Sequence, residues 1–166
     1  MTKSNLFEKI KILVFDVDGV FTDTRILISE NGDFLRTMNT RDGFAIKLAK
    51  RAGIQMAAIT GGISKGVENR LRTLGINIIH TGIMDKKPIF EKLIKEQNWN
   101  PEEILYIGDD LPDIPCLLLA GVAACPADAV PEVKAVSDFI SSKNGGDFCI
   151  RDLVERILKE QDKWPF

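Results

Sequence analysis

The chain has 166 residues, of which 45% are hydrophobic and 28% are charged, and both fractions are typical of a single globular domain. Lys and Arg number 22 against 24 Asp and Glu, a formal net charge of −2, which argues against a nucleic-acid partner because binding along a phosphate backbone favours a basic surface. No apolar run approaches the roughly 18 residues of a membrane span, so we expect one domain over residues 1–166 and no membrane partner.

Two features of the sequence bear on localisation. Residues Met1 to Lys11 lack the apolar stretch of a secretory signal. The three cysteines, Cys116, Cys125 and Cys149, are far apart and include no C-x-x-C pair, which is typical of a reduced compartment rather than of a disulfide framework or a zinc site. We therefore expect a cytoplasmic protein.

Five short apolar runs are predicted to be strands. Each has four residues, mainly β-branched or small, and none shows the polar alternation of a half-exposed strand. Burial on both faces is typical of a parallel sheet. In chain order, the runs are 12–15, 56–59, 76–79, 104–107 and 121–124.

Helical patterns separate these strands. Apolar residues recur at helical spacing over 44–52, and this segment and the segment 65–74 each end before a glycine, a common helix terminator. Two more helices are predicted over 88–97 and 150–161. The alternation predicts a doubly wound, Rossmann-like α/β domain with a mainly parallel sheet.

One segment interrupts the alternation. Residues 25–39 read as strand, turn and strand, with an Asn-Gly pair in the turn that strongly favours a hairpin. This hairpin follows the first strand directly, so we expect it near the carboxyl end of that strand, as a flap or an assembly surface. Its apolar residues Ile26, Ile28 and Phe34 have no obvious core of their own, and exposed apolar patches often mark an interface.

Polar residues follow the predicted strands at the points where the strands end. In chain order they are Asp16 and Asp18, Thr60 and Gly61, Lys86, and finally Asp109, Asp110 and Asp113. Because the carboxyl ends of parallel strands meet at one edge of the sheet, where ligands bind in this architecture, we expect these residues to converge. Several ionised carboxylates need a cation between them, and a set of oxygen donors favours Mg²⁺.

The predicted combination is suited to phosphoryl transfer. Mg²⁺, an ammonium group and a threonine hydroxyl beside the backbone N–H groups of a Gly-rich turn form a site for a phosphoryl group. With Mg²⁺ present, an aspartate can attack phosphorus and form an aspartyl-phosphate, which water then removes.

The order of these motifs resembles that of the haloacid dehalogenase-like phosphatases. Further stretches are similar to the 3-deoxy-D-manno-octulosonate 8-phosphate phosphatases, which are small members without a cap domain that form homotetramers. These stretches are 39–43, 73–76, 106–113 and the late Gly145-Gly146. The similarity runs from residue 10 to residue 161 and implies a domain with the hairpin flap and no cap.

The resemblance implies roles for the acidic residues. Asp16 would be the nucleophile and a Mg²⁺ ligand. Asp18 would protonate the leaving alkoxide, then activate water, and offer its backbone carbonyl to the metal. Asp109 would be the second carboxylate on Mg²⁺, with Asp110 and Asp113 in supporting positions.

The resemblance also implies residues that bind the substrate. Thr60 and the backbone of Gly61 would hold phosphate oxygens, and Lys86 would counter the developing charge. Arg70 and Arg41 are candidate substrate contacts, and Arg70 would act on its own or a neighbouring chain.

Two departures from the family pattern concern substrate recognition. Family members often have arginine after Thr-Gly, where this chain has Gly62, and the usual Gly-Gly-x-Gly stretch reads Gly145-Gly146-Asp147-Phe148. The resemblance implies hydrolysis of 3-deoxy-D-manno-octulosonate 8-phosphate for lipopolysaccharide precursor synthesis. A nine-carbon 2-keto-3-deoxy-nonulosonate 9-phosphate stays open as the alternative substrate. In the implied tetramer, the chain after Gly146 contributes to a site.

Two functions of other classes use the same residue types. A phospho-acceptor signalling domain also clusters Asp, Thr and Lys on a doubly wound sheet, but its acceptor follows the third strand, whereas the Asp pair here follows the first. A non-catalytic assembly subunit has no need for three acidic positions. The order of the motifs therefore favours an enzyme that acts on a small sugar phosphate.

Overall fold

The computed structural model describes residues 5–166, so the first four residues of the N-terminal segment 1–11 lie outside the described residues. The strands are β1 Ile12–Phe15, β2 Leu27–Ile28, β3 Phe34–Leu35, β4 Gln55–Ile59, β5 Ile78–His80, β6 Ile104–Ile107, β7 Val122–Cys125 and β8 Phe139–Ile140. The helices are α1 Thr40–Arg51, α2 Lys65–Leu74, α3 Lys86–Glu96, α4 Ile114–Leu117, α5 Pro131–Val136 and α6 Cys149–Glu160, and two short 3-10 helices cover Pro101–Glu103 and Leu111–Asp113.

A six-stranded parallel sheet forms the centre of the molecule. Its strand order is β5-β4-β1-β6-β7-β8, and Val14 in β1 is in register with Ala57 in β4 and Tyr106 in β6. The chain winds outwards from β1 in both directions, so the strand order reverses beside β1. In such sheets the crevice for a ligand opens at the carboxyl ends of the strands at this reversal. The predicted fold class is confirmed.

Helices cover both faces of the sheet. Alternate residues of β1 point to opposite sides, and all of them are buried. Leu13 and Phe15 pack on the side of α1, α2 and α6, whereas Ile12 and Val14 pack on the side of α3, α4 and α5. No helix within residues 5–166 is long and apolar enough to cross a membrane.

The predicted elements are present, with small shifts at their ends. Helix α1 begins four residues earlier than predicted, because the side chain of Asn39 accepts a hydrogen bond from the backbone N–H of Arg41 and caps the helix. Strand β5 begins later than predicted, since the N–H of Ile76 bonds to the carbonyl of Leu71 at the end of α2. The elements α4, α5 and β8 are too short for a periodic pattern to reveal them.

The β2–β3 hairpin stands apart from the main sheet. Leu27 pairs with Leu35 and Ile28 with Phe34, and all four side chains are exposed, Leu27 to 68% and Ile28 to 65%. The predicted hairpin is therefore present, and its apolar residues face away from the described core.

The C-terminal part of the chain packs against the loop that follows β1. Gly145 lies so close to the carbonyl of Gly19 that a Cβ at residue 145 would overlap with it. The N–H of Gly146 bonds to the carbonyl of Val20 at 2.9 Å. Helix α6 follows and is part of the core, so deleting residues 145–166 would unfold the protein instead of only removing a tail. After α6, Trp164 packs against Arg151 of the same chain.

Replacing Asp42 by Asn is expected to change how stability depends on pH. Asp42 is 1% exposed, and burial raises its pKa from 3.8 to about 6. Between these values the carboxyl is ionised in the unfolded chain but protonated in the folded one. The free energy of unfolding therefore falls as pH rises through this window, by about 3 kcal/mol in total, and the loss persists above it.

Urea unfolding of both proteins from pH 3.5 to 8 measures this effect. The difference in unfolding free energy between the wild type and Asp42→Asn should change between pH 4 and 6 and be constant above pH 7. Since Oδ1 of Asp42 accepts a hydrogen bond from the N–H of Arg151, the Asn side chain can keep that contact. A difference that is constant across the whole range would contradict the assignment.

Candidate active site

A pocket of about 350 Å³ lies at the carboxyl ends of β1, β4 and β6. Polar residues that were predicted to converge do line it together. They are Asp16, Asp18, Thr60, Gly61, Lys86, Asp109, Asp110 and Asp113, and the remaining lining residues are Thr24, Gly62, Ile83, Met84 and Pro112.

Three buried carboxylates form the floor of this pocket. Asp16, Asp109 and Asp113 each place a carboxylate oxygen within 4.8 Å of the others. Gly19, at a φ of +89°, makes this approach possible, because a Cβ there would overlap with the Asp109 carboxylate. The loop after β1 therefore leaves room for Asp109, which follows β6, to lie close to Asp16, which follows β1.

Lys86 lies among these carboxylates. Its Nζ is 2.8 Å from Oδ1 of Asp16 and 2.7 Å from Oδ1 of Asp113. Burial lowers the pKa of Lys86, but Asp16 and Asp113 outweigh it, so that the pKa is raised above its usual value. The neighbouring Lys87 is on the surface beside Glu91, so only the first lysine of the pair reaches the pocket.

Asp113 accepts hydrogen bonds from several of its neighbours. Besides the Lys86 contact, it accepts hydrogen bonds from the hydroxyl of Tyr106 at 2.9 Å and the N–H of Asp109 at 3.1 Å. Both of its oxygens are thus engaged by protein donors. Asp16 and Asp109 are the carboxylates with oxygens left for a ligand. Tyr106 gives no signal in the sequence, because it reads as one more residue of an apolar strand.

The electrostatics of the pocket favour a cation. Burial raises the pKa of Asp16 and of Asp109, and the neighbouring carboxylates raise both further. One ammonium group faces three buried carboxylates, so the cluster has an excess of negative charge. The donors are oxygens, with no His or Cys in the described lining. This donor set fits a hard divalent ion such as Mg²⁺.

The turn after β4 also lines the pocket. Thr60 is buried, and its Oγ1 accepts a hydrogen bond from the N–H of Gly62 at 3.2 Å. The Thr60-Gly61-Gly62 turn and Lys86 line the same pocket. Such a turn can hold the oxygens of a phosphoryl group.

The side chain of Asp18 does not join the carboxylate cluster. Its two oxygens accept hydrogen bonds from Arg36, at 2.6 Å from Nε and 3.1 Å from Nη2. Arg36 follows the hairpin, and its side chain is only 6% exposed. Sequence reasoning missed Arg36, because one arginine beside a hairpin has the same appearance as a solvated surface residue.

The three other predicted residues lie at the rim or outside it. Asp110 is exposed and caps the short 3-10 helix after β6, in a capping box with Asp113. Arg70 lies over Gly43 of α1, and Arg41 lies over the ring of Phe148, with 5.4 Å from its guanidinium carbon to the ring centroid. Neither arginine lines the pocket within one chain.

Known proteins have a similar fold and a similar sequence. Residues 32–121 match the family model of the haloacid dehalogenase-like hydrolases. The 3-deoxy-D-manno-octulosonate 8-phosphate phosphatase of Escherichia coli (strain K12) is 36% identical over 156 residues, 94% of this chain and 83% of that protein. The chain belongs to the haloacid dehalogenase-like hydrolase family.

Two solved structures define the similarity further. The 3-deoxy-D-manno-octulosonate 8-phosphate phosphatase of Yersinia pestis is 34% identical, with a TM-score of 0.93 over 96% of this chain and 86% of that one. The enzyme of the same description from Moraxella catarrhalis, in complex with magnesium ion, phosphate ion and KDO, is 34% identical. Its TM-score is 0.92 over 96% of this chain and 91% of that one.

Proposed function

We propose that this protein is a Mg²⁺-dependent phosphomonoesterase that hydrolyses 3-deoxy-D-manno-octulosonate 8-phosphate to the free sugar acid and phosphate. The observation that supports this most directly is the buried group of Asp16, Lys86 and Asp109 at the carboxyl edge of the sheet. Relatives that match most of this chain have this substrate in their name. We assign residues 1–166 to one hydrolase domain without a cap.

Asp16 and Asp109 are the residues that would hold Mg²⁺, with the backbone carbonyl of Asp18. When bound, Mg²⁺ would neutralise the carboxylate cluster and draw charge from the phosphoryl oxygens. The Thr60 hydroxyl and the backbone of Gly61 would orient the other phosphoryl oxygens. Lys86, held between Asp16 and Asp113, would counter the charge that develops in transfer.

The reaction would proceed in two steps on this chain. A carboxylate oxygen of Asp16 attacks phosphorus and the ester bond to the sugar oxygen breaks, which leaves an aspartyl-phosphate. Asp18 gives its proton to the leaving sugar oxygen. The Asp18 carboxylate then takes a proton from water as that water attacks phosphorus, and Asp16 and phosphate are released.

A panel of two sugar phosphates tests the proposed substrate. We expect kcat/KM for the eight-carbon substrate to exceed that for 2-keto-3-deoxy-nonulosonate 9-phosphate by at least about tenfold, a difference of about 1.4 kcal/mol in transition-state binding. Phosphate release with each compound at equal enzyme and Mg²⁺ concentration measures it. Faster hydrolysis of the nine-carbon compound would contradict the proposal and identify 2-keto-3-deoxy-nonulosonate 9-phosphate as the preferred substrate.

The proposal includes assembly into a homotetramer in the cytoplasm. The rim of the pocket has exposed apolar side chains, among them Ile63 and Met84, both about four-fifths exposed. The β2–β3 hairpin beside the pocket exposes four more. Exposed apolar patches of this kind mark binding surfaces. Neighbouring hairpins would pack together and cover the sugar end of the substrate, and Arg70 or Arg41 would then reach it from the next chain.

Charged substitutions on the hairpin test this assembly. Leu27→Asp with Phe34→Asp should convert the tetramer to smaller species in light scattering at micromolar concentration. KM for the sugar phosphate should rise about tenfold or more, whereas hydrolysis of p-nitrophenyl phosphate should change little. Leu118→Asp is the matched control, because Leu118 is equally exposed, at 67%, but lies after α4. A fully active wild-type monomer would refute the assembly.

A further inference from the structure

Arg36 makes a two-point contact with Asp18 at the edge of the pocket. Its Nε and Nη2 donate to the two oxygens of that carboxylate, and its Nη1 donates to the carbonyl of Phe34 at 3.2 Å. The side chain is almost fully buried. Two-point pairing of a guanidinium with a carboxylate fixes both groups in one orientation. The hairpin therefore places a positive charge beside the pocket in a defined position.

Gly62 leaves the space that this guanidinium occupies. A Cβ at residue 62 would lie 3.0 Å from Nη2 of Arg36 and 2.8 Å from Oδ2 of Asp18. The same point is 3.6 Å from Oγ1 of Thr60. A side chain at residue 62 would therefore compete with the Arg36–Asp18 pair. The guanidinium therefore lies beside the Thr60-Gly61-Gly62 turn.

Lys86 is the one cationic side chain among the described lining residues of the pocket, and Arg36 lies beside that lining without being part of it. Lys86 is already shared by Asp16 and Asp113, so its charge is largely matched before a phosphate ester enters. Of the five N–H groups of Arg36, three donate to Asp18 and Phe34. One N–H on Nη1 and one on Nη2 have no partner within residues 5–166. The Nη2 group is the one next to Gly62.

We propose that Arg36 is a phosphate-binding residue of this enzyme that also positions Asp18. The unpartnered N–H of its Nη2 donates to a phosphoryl oxygen of the bound ester, while its Nε and the other N–H of Nη2 hold the two oxygens of Asp18 in place. Gly62 is required to be small so that the guanidinium can reach this place. The inference rests on the proposed phosphatase activity, but it concerns the phosphoryl group and not the sugar.

Substitutions at residue 36 with p-nitrophenyl phosphate and inorganic phosphate as probes test the proposal. Arg36→Ala should lower kcat/KM for p-nitrophenyl phosphate about 10²-fold, the usual effect of losing one donor to a reacting oxyanion. The inhibition constant of inorganic phosphate, measured with Mg²⁺, should rise about tenfold. Arg36→Lys keeps the charge but loses the two-point contact, so its values should lie between those of the wild type and Arg36→Ala.

Rescue experiments separate binding from a structural role in the hairpin. Millimolar guanidinium chloride should restore at least about a tenth of the lost activity to Arg36→Ala, whereas equal sodium chloride should not. The double variant Arg36→Ala/Gly62→Arg, which supplies a guanidinium from the other side of the same space, should recover in the same way. Gly62→Arg alone should lower activity, because two guanidinium groups then compete for Asp18.

The matched control is Arg25→Ala, because Arg25 is an exposed arginine before the same hairpin with no side-chain partner among the described residues. It should keep wild-type kinetics, and light scattering should give all variants the wild-type mass. Unchanged phosphate inhibition in Arg36→Ala, or an absence of rescue by both guanidinium and Gly62→Arg, would overturn the proposal. If the wild type hydrolyses p-nitrophenyl phosphate but neither sugar phosphate, only the proposed substrate fails, since these measurements do not use it.

Discussion

Asp16→Asn is expected to reduce turnover by at least about 10³-fold while the protein stays folded. An amide oxygen is a poor nucleophile and a weak ligand for a hard cation, so the variant would lose the proposed attacking group and one proposed metal ligand together. Phosphate release from the sugar phosphate and from p-nitrophenyl phosphate measures the loss. The amide has nearly the same shape as the carboxylate, and Asn removes a buried charge, so the melting temperature should not fall.

Trapping of the covalent state adds an independent readout. With Mg²⁺ and beryllium fluoride, the wild type should form a stable adduct on the Asp16 carboxylate that fluorine NMR detects, and Asp16→Asn should form none. Asp162→Asn is the matched control, because Asp162 lies after α6 and is exposed. A folded Asp16→Asn protein that keeps more than a few per cent of the activity would rule out Asp16 as the nucleophile.

Removal of Mg²⁺ is the second change with a large expected effect. EDTA should abolish activity and added Mg²⁺ should restore it, because the pocket otherwise brings a negative phosphate ester against three buried carboxylates. Asp109→Asn should raise the Mg²⁺ concentration for half-maximal activity by about 10²-fold. Asp109 is one of two carboxylates with oxygens left for the metal, and a divalent ion held by so few carboxylates depends strongly on each.

Thermal unfolding measures Mg²⁺ binding without any substrate. At saturating Mg²⁺ the melting temperature of the wild type should rise, since a ligand that binds only the folded state stabilises it. The same Mg²⁺ concentration should leave Asp109→Asn nearly unchanged. Full activity after complete metal removal, or an equal rise in both proteins, would contradict the assignment of Asp109 to the metal site.

The sequence predicts the fold well where the pattern is long or strongly apolar. Strand β1 and helix α2 have the predicted bounds, because a run of buried β-branched residues and a capped helix are both determined locally. Helix α4, with four residues, and strand β8, with two, depend on contacts with the rest of the molecule. No local pattern distinguishes such short elements from a loop.

The sequence predicts which residues lie in the candidate site, but it does not predict how their side chains pair. The position of polar residues after buried strands predicts that Asp16, Thr60 and Asp109 meet at one edge, because topology alone brings them there. The position of these residues after the strands does not predict which side chains contact one another. Asp18 pairs with Arg36 and lies outside the cluster of Asp16, Asp109 and Asp113, and Asp113 accepts a hydrogen bond from Lys86. Both depend on rotamers and distances that only the folded chain determines.

The contact of Gly145 and Gly146 with the loop after β1 has a consequence for protein synthesis. Asp16, the proposed nucleophile, is translated early, but the loop after it is supported by residues about 125 positions later in the chain. The N–H of Phe7 also bonds to a carboxylate oxygen of Glu160. Contacts so distant in sequence form late in folding. A nascent chain on the ribosome therefore holds all the proposed catalytic residues before it has an ordered active site, and we expect hydrolysis to begin only after α6 has been released and has docked.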